Sequence, residues 1–156
     1  MSGFVIRGLD SAPFGALYGL PDAALAERGV VRMEVDARPG FPCRVSLEDA
    51  GIGETMLLLN HEHLPVESPY RQCHAIFVRE GAAEAARFED EVPEQLAIRT
   101  LSLRAYDAAG MMTDADLVEG GELAALIDRF FADPSVAYLH AHNAKRGCFA
   151  ARIDRG

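Results

Sequence analysis

The chain has 156 residues, no tryptophan and a single lysine, Lys145. Its basic side chains are therefore almost all arginine, and they are outnumbered. Lys and Arg total 15 against 24 Asp and Glu, a formal net charge of −9. An acidic surface repels phosphate backbones and anionic lipid, which disfavours a nucleic-acid partner and a membrane partner. No run approaches the ~18 apolar residues of a spanning helix. The opening Met1-Ser2-Gly3-Phe4-Val5-Ile6-Arg7 lacks the apolar stretch of a secretory leader. Cysteine is scarce too. Cys43, Cys73 and Cys148 are odd in number and form no Cys-x-x-Cys, which points to reduced thiols in a cytoplasm.

Familiar site signatures are missing as well. His61-Glu62-His63-Leu64-Pro65 has proline where a zinc-protease helix would place its second histidine. Gly51-Ile52-Gly53 has two glycines of a dinucleotide fingerprint, no third, and an apolar strand rather than a helix after it. Asp114 and Asp116 lack the rest of a calcium loop. No Walker lysine and no Gly-x-Ser-x-Gly occurs. Glu48, Asp49, Glu54 and Glu62 surround residues 43–63, but no spacing singles out an acid-base pair.

What is present is histidine in a pattern. Four of the five histidines form two His-x-His pairs, His61/His63 and His140/His142. Alternate residues of a strand share a face, so each pair points one way if its segment is extended. Two such pairs offer four nitrogen ligands to Zn²⁺ or another divalent ion, with Cys148 or Glu62 as a further ligand. The plain alternative is hydrogen-bonded polar residues on a half-exposed sheet. Cys148 beside His140 or His142 also has the makings of an activated thiol, as does Cys43 beside Arg44, although free cysteine is more often buried and inert.

The local patterns describe mostly strands. Short strands are expected at Phe4-Val5-Ile6, at residues 30–36 with Val31, Met33 and Val35 inward, at 43–47, and at 54–60, where Met56-Leu57-Leu58-Leu59 suits a strand covered on both faces. Residues 61–70 contain Pro65 and Pro69 and read as a loop. Further strands follow at 75–78 and 98–106. Helical turns are expected within 10–18, at 23–28 and at 94–97. The best helix is 121–131, where Leu123, Leu126, Ile127, Phe130 and Phe131 form one apolar stripe.

The tail reads as a hairpin, 136–142 against 148–154, with Gly147 in the turn. If His142 faces Cys148, one side collects Leu139, Ala141, Phe149, Ala151 and Ile153. The other collects Tyr138, His140, His142, Cys148 and Arg152. This separated register is preferred, because a four-residue loop over 144–147 would shift the pairing by one and mix the faces.

The chain resembles an uncharacterised bacterial family, the domain of unknown function numbered twelve-oh-three. The similar stretches include Phe41-Pro42-Cys43-Arg44-Val45-Ser46-Leu47, Gly53-Glu54-Thr55-Met56-Leu57-Leu58-Leu59, Ser68-Pro69-Tyr70-Arg71, Arg104-Ala105-Tyr106-Asp107 and Gly147-Cys148-Phe149-Ala150-Ala151-Arg152-Ile153. They run from about residue 40 to the C-terminus. The resemblance implies a bacterial source and one full-length domain, and carries no activity or cofactor with it.

The expectation is thus a single α+β domain over residues 1–156: a mostly antiparallel sheet of five to seven strands, with the 121–131 helix on one face and the C-terminal hairpin. The preferred function is an enzymatic or small-molecule-binding domain with a polar cleft near that hairpin. Arg44, Tyr70, Asn143 and Arg152 would bind an anionic ligand, Arg71 being a further basic candidate, and His140, His142 and Cys148 would be catalytic. The alternatives are a metal-binding protein using His61, His63, His140 and His142, and a non-enzymatic interaction module, its simplest form a homodimer. No motif assigns a cofactor.

Overall fold

In the computed structural model, which describes residues 3–156, the strands divide between two antiparallel sheets rather than one. The larger has six strands in the order β5 (Arg87–Glu89), β1 (Phe4–Arg7), β9 (Phe149–Arg155), β8 (Tyr138–Asn143), β6 (Thr100–Tyr106) and β7 (Met112–Glu119). The smaller has β2 (Val31–Glu34), β3 (Thr55–Leu64) and β4 (Gln72–Arg79), with β3 in the middle. Three short helices, α1 (Ala12–Gly15), α2 (Asp22–Ala26) and α3 (Glu94–Ala97), fill connections. A 3₁₀ turn, Gly120–Glu122, leads into α4 (Leu123–Phe131).

The six-stranded sheet is two-faced because its strands alternate. Leu101, Leu103 and Ala105 of β6, Leu139 and Ala141 of β8, and Ala151 and Ile153 of β9 line one face. There they meet the stripe Leu123, Leu126, Ile127, Phe130 and Phe131 of α4. Each large side chain removed from water here contributes roughly 1.5–3 kcal/mol. The opposite face carries Ser102, Arg104 and Tyr106 beside His142, His140 and Tyr138, residue for residue. A second core joins β3 and β4 to α1 and α2 through Phe14, Leu25, Met56, Leu57, Leu59, Ile76 and Val78.

Several expectations need correction. Residues 44–46 form a turn rather than a strand, and Cys43 makes only an isolated bridge to Phe77. Within β2, Val31 and Met33 are exposed, because the strand is a sheet edge and only the flanking Val30 and Val35 are buried. Strand β3 does not stop at residue 60 but runs through His61-Glu62-His63 to Leu64, paired with β4 across a bulge; the prolines fall beyond it. Strand β7, which shows no apolar alternation, is the other edge of the large sheet.

The hairpin register also differs. His142 pairs with Phe149, not Cys148, and a bulge follows before Ala141 meets Ala151 and Leu139 meets Ile153. The four-residue turn does shift the pairing by one, and the extra residue, Ala150, takes up the shift. The faces therefore stay separate with one exchange: Phe149 joins the histidines.

Candidate metal centre

The ends of β3 and β4 lie against the polar face of the large sheet and bring histidines from three strands together. One nitrogen from each of His63, His74 and His142 falls within 4.8 Å of the other two. His63 stacks on His74, ring centroids 4.8 Å apart at an interplanar angle of 9°, with its Nε2 2.9 Å from His74 Nδ1. His142 stands nearly perpendicular to both, at 4.9 and 5.2 Å between centroids. Phe149, turned inward by the bulge, stacks on the other side of His63 at 5.0 Å. Ligand nitrogens around a tetrahedral ion sit ~3.3 Å apart, given metal–nitrogen bonds of about 2.0–2.1 Å, so the cluster is on the scale of a coordination sphere.

In His142 and His63 the second nitrogen has a defined environment. His142 Nδ1 lies 3.0 Å from the Gly147 carbonyl, so it carries the proton and donates. That leaves the lone pair on Nε2, and among the described residues Nε2 has no partner although His142 is fully buried. His63 Nδ1 lies 3.3 Å from Nδ1 of His140, which is itself buried against Phe149 and Tyr106. Metal-ligating histidines commonly donate their far N–H in this manner, to a carbonyl or another fixed acceptor.

Burial also sets the charge state. Desolvation is the main cause that pushes His63 and His142 down to about 3 and His140 to about 2. His61 and His74 shift in the same direction for the same leading reason. Near neutral pH the cluster is therefore uncharged, the form that binds metal. His74 is half-buried and sits on the solvent side, whereas His142 is enclosed.

The sequence-derived candidates separate into groups. His63 and His142 are in the cluster, His140 supports it, and His61 turns toward Phe14 and Phe149 instead. His74 was not singled out from sequence, because it stands alone between Cys73 and Ala75. Only the β3–β4 pairing, which sets it opposite His61, brings it in. Arg44, Asn143 and Cys148 do meet. Cys148 Sγ accepts from Arg44 Nη2 at 3.2 Å and from Asn143 Nδ2 at 3.6 Å. Among the described residues, Cys148 hydrogen-bonds neither His140 nor His142.

Arg44 is buried, and its other donors bind the carbonyls of Phe149 (2.8 Å) and Pro42 (2.7 Å), so it ties the 42–46 turn to the start of β9. Desolvation pushes its guanidinium below the usual range. Arg152 lies over the Tyr138 ring at 4.2 Å and pairs with Asp154 at 3.0 Å. Arg71 pairs with Glu62 at 2.9 Å, and Tyr70 is an exposed residue between β3 and β4. The free cysteines differ in setting: Cys43 buried, Cys148 half-buried, Cys73 exposed.

Two clefts lie away from the histidines. One of ≈300 Å³ sits between β7 and α4, lined by Asp116, Val118, Leu126 and Arg129. The other, of ≈490 Å³, is lined by Arg38, Glu48, Gln95 and Ile98. Neither includes a residue of the C-terminal hairpin, where the sequence reading placed its polar cleft. The scale of the histidine cluster is that of an ion.

A family model described as "Protein of unknown function (DUF1203)" matches residues 40–155. The chain belongs to this family. All five histidines fall within the matched DUF1203 region, together with Arg44, Arg104 and Cys148. No curated protein and no solved structure matches the chain. Among the described residues no helix is long and apolar enough to cross a membrane.

Proposed function

We propose that this DUF1203 protein binds a divalent transition metal through His63, His74 and His142. The observation that carries the reading is the Nε2 of His142: a fully buried ring nitrogen without a partner among the described residues, its tautomer fixed by the Gly147 carbonyl, beside two further imidazoles. A buried polar atom left unpaired costs about 1–3 kcal/mol, and a metal ion satisfies it. Three neutral imidazoles suit zinc, nickel, cobalt or copper rather than magnesium or calcium, which prefer oxygen. Three protein ligands leave a fourth position open, on the half-buried His74 side. Such a position lets an ion polarise a substrate or activate water.

The test is metal content. Tag-free protein dialysed against Zn²⁺ or Co²⁺ and then against metal-free buffer should retain one ion per chain by elemental analysis. His142→Ala and His74→Ala should retain none, while His61→Ala behaves as the native chain. Retention by His142→Ala equal to the native protein, or no stoichiometric ion in any sample, removes the proposal.

A further inference from the structure

Three imidazoles bring no negative charge, so an ion among them keeps its full double charge, and the neighbourhood adds more. Arg104 of β6 brings its positive charge opposite His140 of β8, on the sheet face that also carries His142. Its own contacts are poor. Nε reaches Ser102 Oγ at 3.3 Å and Nη1 reaches Gln72 Oε1 at 3.4 Å, both at the long end for such bonds. Arg71, Arg99 and Arg152 each have a carboxylate within 4.0 Å; among the described residues Arg104 has none, as is also true of Arg28, Arg38, Arg44, Arg146 and Arg155.

A second neglected group stands next to it. Tyr106, two residues along β6, is fully buried; among the described residues its Oη makes no close hydrogen bond, and the Arg104 guanidinium is its hydrogen-bonding neighbour. Its ring lies 5.2 Å from that of His140, within the influence of the Arg104 charge. An under-bonded guanidinium and a buried phenol beside it on one sheet face, next to a cluster of histidines, share one complement: an anion with several acceptor oxygens. The guanidinium fork matches a carboxylate or a phosphate, and a phenolic O–H donates to either.

We propose that Arg104 and Tyr106 form an oxyanion subsite beside the His63–His74–His142 centre, so that the ligand of this protein presents a small carboxylate or phosphate group there. The inference rests on the metal reading only in placing the anion next to an ion; the subsite itself stands on Arg104 and Tyr106.

Cobalt(II)-loaded protein titrated with sodium acetate and, separately, with inorganic phosphate tests it, with the visible absorption of cobalt reporting its coordination. At least one anion should give a saturable change. A response to acetate alone assigns a carboxylate, and a response to phosphate alone assigns a phosphate. Arg104→Gln should raise the half-saturating concentration roughly tenfold or more, while binding cobalt at least as tightly as the native chain because a repelling charge has gone. Tyr106→Phe, which removes a hydroxyl that makes no close hydrogen bond, should leave the melting temperature little changed and weaken the anion several-fold.

Equal responses in native and Arg104→Gln protein, or no response to either anion, overturn the proposal. Should Arg104→Gln not fold, Arg104→Lys keeps the charge without the fork and faces the same criterion. Should the protein take up no cobalt, the metal reading fails separately. Calorimetry of both anions on the metal-free protein then decides the subsite: binding lost in Arg104→Gln upholds it, and absence of binding ends it.

Discussion

His140 shows how a side chain can matter to a metal site without touching the ion. It is 1% exposed, and its Nδ1 faces the far nitrogen of His63 at 3.3 Å. Its place in the cluster is to hold the His63 ring. His140→Ala should lower metal affinity about 10–100-fold without changing the stoichiometry, measured by competition with a chromophoric chelator. Unchanged affinity would mean that His63 is held by its stack on Phe149 alone. At this scale the sequence was partly legible. The alternation of His140 and His142 revealed a shared face, because a strand period of two is a geometric certainty once the segment is extended. His74 and Arg104 left no trace, since a lone histidine and an arginine on an alternating strand look like ordinary surface until a second sheet covers them.

The turn between β8 and β9 links backbone to chemistry at the level of the element. Gly147 has φ +78°, its N–H donates to the Asn143 carbonyl at 2.7 Å, and its own carbonyl fixes the His142 tautomer. A side chain at that φ is strained, so Gly147→Ala should destabilise the protein by about 1 kcal/mol in urea unfolding, and it should loosen metal binding in the same sample. A loss of stability with no change in metal affinity would separate the turn from the site. The sequence announced this glycine but not the bulge beyond it. Ala150 and Ala151 are small enough for either face of a sheet, so an inserted residue leaves the apolar pattern undisturbed. For the same reason β3 was cut short. Two prolines dominate residues 61–70, yet neither occupies a paired position, and the ladder runs up to Leu64 before the first of them.

For the molecule as a whole, the buried histidines predict an acid response. His63, His140 and His142 titrate near 3, 2 and 3 when folded but near the ordinary value of ~6.5 when unfolded. Between those limits the unfolded chain binds more protons, so stability is complete above about pH 6.5 and drains away as the pH falls toward 3. The urea midpoint of the metal-free protein should therefore drop between pH 7 and pH 4.5, and the drop should be smaller for His140→Ala. A midpoint independent of pH over that range would show that the rings are protonated in place.

Mostly antiparallel strands and a helix on one face follow from composition and period, and the α+β class was readable on those grounds. The split into two sheets was not, because β2, β3 and β4 pair only among themselves, and nothing in a local pattern states which strands adjoin.

The position of β1 bears on where the chain can be cut. The matched DUF1203 region begins at residue 40, yet β1, at Phe4–Arg7, lies between β5 and β9 and hydrogen-bonds to both. A fragment trimmed to residues 40–155 would leave an empty slot between β5 and β9, with two raw strand edges facing each other across it. One of those edges belongs to β9, which carries Phe149 beneath the imidazole cluster. The segment outside the family match is thus a structural keystone rather than a dispensable leader.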